Sequence, residues 1–309
     1  MKTQQCVLTG MIALFGAGAG ISASLPNVSG APTQMVITVR PAKGASQPES
    51  LVAGELTVQQ GKTAAPVAGL ERLAGDLANM QLFVFLDDST RSTSLGLQIP
   101  ELKKFIEGLP GTTQVAVGYM HNGTFALAQS FTADHQKAAG SLRLPAAMPG
   151  GNGSPYFALS DLVKHWPSND ATGRRAVLML TDGVDRYYGG SMTDDPYVDA
   201  ATNSALKQGV MVYSIYLRGA GLYGRSGWLT NVAQSRLIEV SEETGGYAYC
   251  EAFTDPVSVA PFLRDLQDRL ANQYRVTLGA WNEKGVQPVK VRTELRGLKL
   301  DSPTRIYVR

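Results

Sequence analysis

One stretch limits what this chain can fold into: Leu82-Phe83-Val84-Phe85-Leu86 running straight into Asp87-Asp88-Ser89-Thr90-Arg91-Ser92. An apolar run this short, closed at once by carboxylates and hydroxyls, reads as a strand buried on both faces, as in a parallel sheet covered by helices on each side. The polar burst then falls at the strand's C-terminal end, where open α/β sheets place their ligand crevice. Ala176-Val177-Leu178-Met179-Leu180 repeats the arrangement and runs into Thr181-Asp182-Gly183-Val184-Asp185. Two such strands, each delivering an aspartate at its tip, predict one shared site.

The surrounding texture agrees. From about residue 79 to 273, strands such as 114–119 and 210–217 alternate with helical patterns. Leu102, Phe105, Ile106 and Leu109 recur at helical spacing before Pro110-Gly111, and Leu159, Leu162, Val163 and Trp166 do so before Pro167. Further helices are expected over 196–208, 229–243 and from about Pro261 to Leu270. Such alternation predicts a doubly wound, mostly parallel α/β sheet. His121-Asn122-Gly123 is expected to turn one strand into an antiparallel edge partner. Residues 34–78 carry short strand-like runs at 35–40, 56–59 and 67–73, and 274–278 and 289–295 alternate with period two; the simplest architecture joins 34–78 and 274–309 as a small accessory β module beside the 79–273 domain.

The first residues bear on the compartment. Met1-Lys2 supplies a positive start, Val7 to Ile21 is apolar and glycine-rich, and small residues at Ser22, Ala23 and Ser24 precede Pro26. Residues 1–23 therefore read as a secretory signal peptide cut near Ala23, with 24–33 as linker and no transmembrane span in the mature chain. Export to the periplasm, cell envelope or medium is expected. Gly16-Ala17-Gly18-Ala19-Gly20 is no dinucleotide turn, because no strand precedes it. A net charge of +2 exerts no general pull on nucleic acid. Cys6 lies in the leader, which leaves Cys250 alone in the mature chain, expected as a buried, inert thiol.

Asp87-x-Ser89 after one buried strand, Gly153-Ser154-Pro155 before a helix and Thr181-Asp182-Gly183 after another strand together resemble a von Willebrand factor type A (VWA) domain. They match the three loops of its metal-ion-dependent adhesion site. The flanking β segments resemble the exported VWFA-related family common in acidobacteria. The resemblance implies that Asp87, Ser89, Ser154 and Asp182 hold Mg²⁺ or Mn²⁺, with Ser154 where the family usually has threonine. Mg²⁺ takes six oxygens and keeps several waters, and an open position can accept a carboxylate from a partner. The metal would then bridge to a protein or glycan partner without catalysis.

One position departs from the pattern. The family's Asp-x-Ser-x-Ser would end on Arg91, and a guanidinium cannot ligate a cation. Either Arg91 turns away, or its charge stands in for the metal. The shifted register Asp88-x-Thr90-x-Ser92 restores the pattern but reverses the side-chain direction, so Asp87 is preferred. A secreted Mg²⁺-dependent hydrolase or phosphatase-like enzyme using the same carboxylates is the alternative, with Asp88 or Asp185 as its base. A scaffold whose site has decayed is the third reading. Asp185 and Asp194-Asp195 are expected as a solvated rim, and His121, His135 and His165 as surface histidines, since none has zinc-ligand spacing. Trp228, Tyr187, Tyr188 and Tyr223 are candidate contact aromatics or packing residues.

Overall fold

The computed structural model describes residues 32–42, 51–90, 92–145, 153–170, 172–188, 195–219, 225–251, 254–279 and 283–309. The expected leader, most of the linker, Arg91, Asp194 and Tyr223 lie outside them. In chain order the elements are β1 (Thr33–Pro41), β2 (Leu56–Gln60), β3 (Thr63–Ala65), β4 (Val67–Arg72), β5 (Met80–Asp87), α1 (Ser92–Glu107), β6 (Thr113–His121), β7 (Thr124–Thr132), α2 (His135–Gly140) and α3 (Pro155–Lys164). There follow β8 (Arg174–Thr181), α4 (Pro196–Gln208), β9 (Val210–Tyr216), α5 (Gly227–Glu243), β10 (Ala248–Tyr249), α6 (Ala260–Ala271), β11 (Gln273–Leu278), β12 (Gly285–Thr293), β13 (Leu298–Asp301) and β14 (Arg305–Val308).

Every residue of β5 is buried, because β5 lies in the middle of a six-stranded sheet of order β10-β9-β8-β5-β6-β7. All neighbours pair in parallel except β6 and β7. Side chains alternate across β5 as a pleat requires. Leu82, Val84 and Leu86 pack with Leu95, Leu102 and Ile106 of α1 and Leu263 and Leu266 of α6. Phe83 and Phe85 face the other layer, with Tyr156, Leu159 and Leu162 of α3 and Val198 and Ala201 of α4. The chain leaves β5 for β6 on one side and returns to β8 on the other. The β5–β8 boundary is thus the point where strand order reverses, and the crevice opens at its C-terminal end.

At the edge, β6 and β7 are joined by Asn122 and Gly123, both at positive φ (50° and 79°), the geometry of a two-residue hairpin turn. The helix after β5 starts earlier than its periodicity suggests. Gly96 and Pro100 interrupt the apolar pattern, yet α1 begins at Ser92 and carries Pro100 within it.

The accessory strands form two antiparallel four-stranded sheets, β13-β1-β11-β4 and β14-β12-β2-β3. Each mixes strands from before and after the α/β domain. Met35, Ile37, Val58, Val276, Val289 and Ile306 belong to one core shared by both. The short strands β3 and β13 are additions to the sequence reading. A buried and a partly buried arginine bolt the parts together. Arg269 of α6 bonds Asp301 of β13 at 2.8 Å, and Arg305 of β14 bonds Glu243 of α5 at 2.9 Å. Cys250, just past β10, is half-buried, and burial pushes its thiol up to about 11, so it stays protonated. Among the described residues no helix is long and apolar enough to cross a membrane.

Candidate functional site

Strands β5 and β8 end side by side, with Leu86 opposite Leu180. The next residues, Asp87 and Thr181, meet: the Thr181 hydroxyl donates to Asp87 Oδ2 at 2.5 Å. Asp87 Oδ1 accepts from the Ser89 backbone N–H at 2.8 Å and from its hydroxyl at 2.5 Å, an Asx turn that closes the loop. Asp87 is buried with donors on both oxygens.

Asp88 falls on the opposite side of the strand. Arg143 holds it in a fork, with Nη1 at 2.8 Å and Nη2 at 3.0 Å, and His121 Nδ1 lies at 4.0 Å. The same guanidinium lies 3.6 Å over the Tyr119 ring, which stiffens this rim. Pleat direction thus separates the two candidate registers. Asp87 lies toward α3, and Asp88 is spent on Arg143.

Ser154 caps α3, its Oγ accepting from Phe157 N–H at 3.3 Å and donating to Asp185 Oδ2 at 2.7 Å. Asp185 is fully buried, and its Oδ1 accepts from the N–H groups of Tyr187 and Tyr188 at 2.8 and 2.9 Å. Asp195 is buried as well; it caps α4 and pairs with Arg236 at 3.2 Å. The expectation of a solvated rim at Asp185 and Asp195 is therefore corrected. Backbone N–H groups at loop and helix starts need acceptors, and these carboxylates supply them.

Asp182 is buried and meets a cation that the sequence reading missed. Arg186 grips both its oxygens, Nη1 to Oδ1 at 3.3 Å and Nη2 to Oδ2, and Val184 N–H adds a bond at 3.0 Å. Burial, reinforced by the nearby Asp87 charge, pushes Asp182 up to about 6 against the opposing pull of Arg186. The Arg186 backbone N–H donates to Gly153 O at 2.9 Å and staples the third loop to the second. Gly219 pairs with Thr90 in an isolated bridge, and a Cβ there would run into the Asp182 carboxylate. Thr181 opens the third-loop motif and Asp185 is a candidate base of the hydrolase reading, whereas no motif marks Arg186 or Gly219 as site residues. Their only hint is placement, four residues past Asp182 and just past the β9 strand.

The three loops converge on a small cleft lined by Asp87, Asp88, Ser89, His121, Ser154 and Arg186, among others. Asp182 does not line it; Arg186, which holds Asp182, does. His135 bonds Thr113 O and His165 bonds Asp161, both away from the cleft. A four-ring cluster of Phe157, Tyr187, Tyr188 and Tyr197 packs edge to face beside Ser154, with Tyr187 half exposed.

Whether such a site suits a divalent cation can be judged from its own donors and charge. Asp87, Ser89, Ser154 and Asp182 offer only hard oxygens, the ligand type that Mg²⁺ prefers. Among the described residues no three His, Cys, Asp or Glu side chains form a cluster, so hydroxyls would have to complete the set. Among the described residues, five buried carboxylates (Asp87, Asp88, Asp182, Asp185, Asp195) meet the guanidiniums of Arg143, Arg186 and Arg236, so carboxylates outnumber their cationic partners. Donor type and charge both fit a doubly charged cation. Arg186 is its competitor for Asp182.

Fold and site together define an α/β protein with an acidic crevice at the switch point of its sheet, carried on a two-sheet β module. No family model matches the chain, and no curated protein matches it. Solved structures similar to it include an aerotolerance-related membrane protein from Bacteroides fragilis (13% identity, TM-score 0.44, covering 62% of this chain and 98% of that one). A von Willebrand factor type A protein from Catenulispora acidiphila is similar at 11% identity and TM-score 0.44, over 92% of this chain and 75% of that one. The pilus adhesin SpaC from Lactobacillus rhamnosus GG, in an open conformation, is similar at 9% identity and TM-score 0.45, over 82% and 47%.

Proposed function

We propose that this chain is an exported VWA-type recognition protein, of the VWFA-related kind, that binds a protein or glycan partner at the crevice and turns nothing over. Asp87, Ser89, Ser154 and Asp182 would hold Mg²⁺ or Mn²⁺ there, and the cation would receive an acidic group of the partner. The observation that carries this reading is the convergence of three loops on one oxygen-lined cleft whose buried carboxylates outnumber their guanidinium partners among the described residues. Tyr187, half exposed beside the cleft, supplies the kind of aromatic rim that interfaces favour.

A binding role accords better with the local chemistry than hydrolysis. The Ser89 hydroxyl donates to Asp87, which also accepts from Ser89 N–H and the Thr181 hydroxyl, and the Ser154 hydroxyl donates to Asp185, which also accepts from two loop N–H groups; both carboxylates are engaged in holding the loops, and neither hydroxyl is bonded to a histidine. Asp88, the other candidate base, is locked in the fork of Arg143.

Calorimetric titration with Mg²⁺ and Mn²⁺ tests the metal half. Wild type is expected to bind, Asp182→Ala to lose binding, and Arg186→Gln to bind more tightly because Asp182 is released. Null heats in all three proteins would remove the cation from the account.

A further inference from the structure

At the other end of the same sheet, where β8 and β9 begin, a groove of about 740 Å³ lies between the α/β domain and the β module. Its volume is within the range of small-molecule sites, roughly 300–1,000 Å³. The lining brings together Arg174, Arg175, Lys207, Arg275, Arg305 and Arg309, and among the described residues no aspartate or glutamate lines it. Two of these cations are neutralised: Arg275 pairs with Glu71 at 3.4 Å, and Arg305 with Asp199 and Glu243. The other four make no ion pair among the described residues.

Arg174 is the telling member. It is more than nine-tenths buried, yet its guanidinium bonds only neutral oxygens: Leu270 O at 2.9 Å, Gln273 Oε1 at 2.5 Å and Ala78 O at 2.9 Å. Its Nε–H has no hydrogen-bond partner among the described residues. A buried charge without a counter-ion is costly, and proteins rarely keep one unless something of opposite sign visits it. Burial pulls this guanidinium down to about 10, with Tyr213 opposing the shift and Arg275 adding to it. Arg175 donates only to the Asp170 carbonyl and leans on Trp166.

We infer that this groove is a second binding site, for an organic oxyanion carrying two or more carboxylate or phosphate groups. Guanidiniums bind such groups through paired, charge-assisted hydrogen bonds. Arg174 would add its charge at the floor of the groove, its guanidinium held by Leu270, Gln273 and Ala78, while Arg175, Lys207 and Arg309 would meet the anionic groups. The Thr33, Gln208 and Tyr307 side chains offer neutral donors beside them. The inference is independent of the metal reading, because the groove and the crevice share no residue.

Calorimetry of the full chain with citrate and with tripolyphosphate, at fixed ionic strength, tests it. Saturable binding of at least one probe is expected, and the stronger one tells whether carboxylate or phosphate is the natural group. Lys207→Glu and Arg309→Glu, both outside the core, are each expected to weaken binding about tenfold or more, the worth of one charge-assisted bond. Arg174→Met should abolish it, with circular dichroism checking that the variant folds. Asp182→Ala should bind the anion as wild type does. No saturation by either probe at millimolar concentration, or equal affinity in wild type, Lys207→Glu and Arg309→Glu, overturns the inference.

Discussion

The two ends of the central sheet are made by the same strands and carry opposite charge. Strand β8 opens on Arg174-Arg175 and ends on Thr181, followed at once by Asp182. At the C-terminal end, carboxylates outnumber guanidiniums, and the surplus sits on buried aspartates tied to loop N–H groups. At the N-terminal end, guanidiniums rest on neutral carbonyls and no carboxylate lines the groove. Eight residues of strand separate the two by roughly 25 Å, at about 3.3 Å per residue. At that distance two unit charges interact by only about 0.7 kcal/mol at an effective dielectric of about 20, so each end can be charged with little effect on the other. Charge at each end is then a local design, and only the shared core links them.

Removing that shared core should break both ends at once. Phe83 packs against Phe85, Phe125, Phe131 and Trp166 with ring centroids 5.4 to 6.3 Å apart. Phe83→Ala should cost about 3–5 kcal/mol in urea unfolding and weaken cation and anion binding together. Loss at one end alone would mean that the ends have separate supports.

The next effect should belong to the acidic end only. Asp182 has a folded value near 6 against 3.8 for an unperturbed carboxyl, so between those values the folded protein binds more protons than the unfolded chain. Stability should therefore fall as pH rises through this window, by on the order of 3 kcal/mol in all. Asp182→Asn should flatten that part of the unfolding profile, while Lys207→Glu should leave it unchanged. A wild-type profile that rises from pH 4 to 6 relative to Asp182→Asn would show that Arg186 outweighs burial.

A smaller effect should follow from Gly219→Ala, which drives a methyl into the Asp182 carboxylate. About 1–3 kcal/mol of destabilisation is expected in urea unfolding, since neighbours must shift. Calorimetry should show cation binding lost and anion binding kept. Intact cation binding in this variant would mean that Asp182 lies outside the binding set.

The fold class is legible in the sequence because burial on both faces leaves a plain trace. Leu82–Leu86 and Ala176–Leu180 have no polar side to disguise them. The start of α1 is less legible, since Gly96 and Pro100 break the apolar spacing that packing against β5 nonetheless sustains. At the site, the positions of Asp87 and Asp182 follow from strand ends, which periodicity reveals. The roles of Thr181, Asp185 and Arg186 depend on loop geometry, which has no period. The sequence pattern points to a guanidinium at Arg91, which lies outside the described residues; among the described residues the guanidinium lining the cleft is Arg186. Likewise the groove at the other end draws on residues from 32 to 309, and no local pattern joins them.

Electron paramagnetic resonance with Mn²⁺ tests the central claim most directly, because it counts free ions in solution. Added to the wild-type chain, Mn²⁺ should lose its free-ion signal until one ion per chain is bound, and Asp87→Ala should leave the signal intact. A full free-ion signal with wild-type protein, or equal quenching by Asp87→Ala, would contradict a cation held where β5 and β8 end.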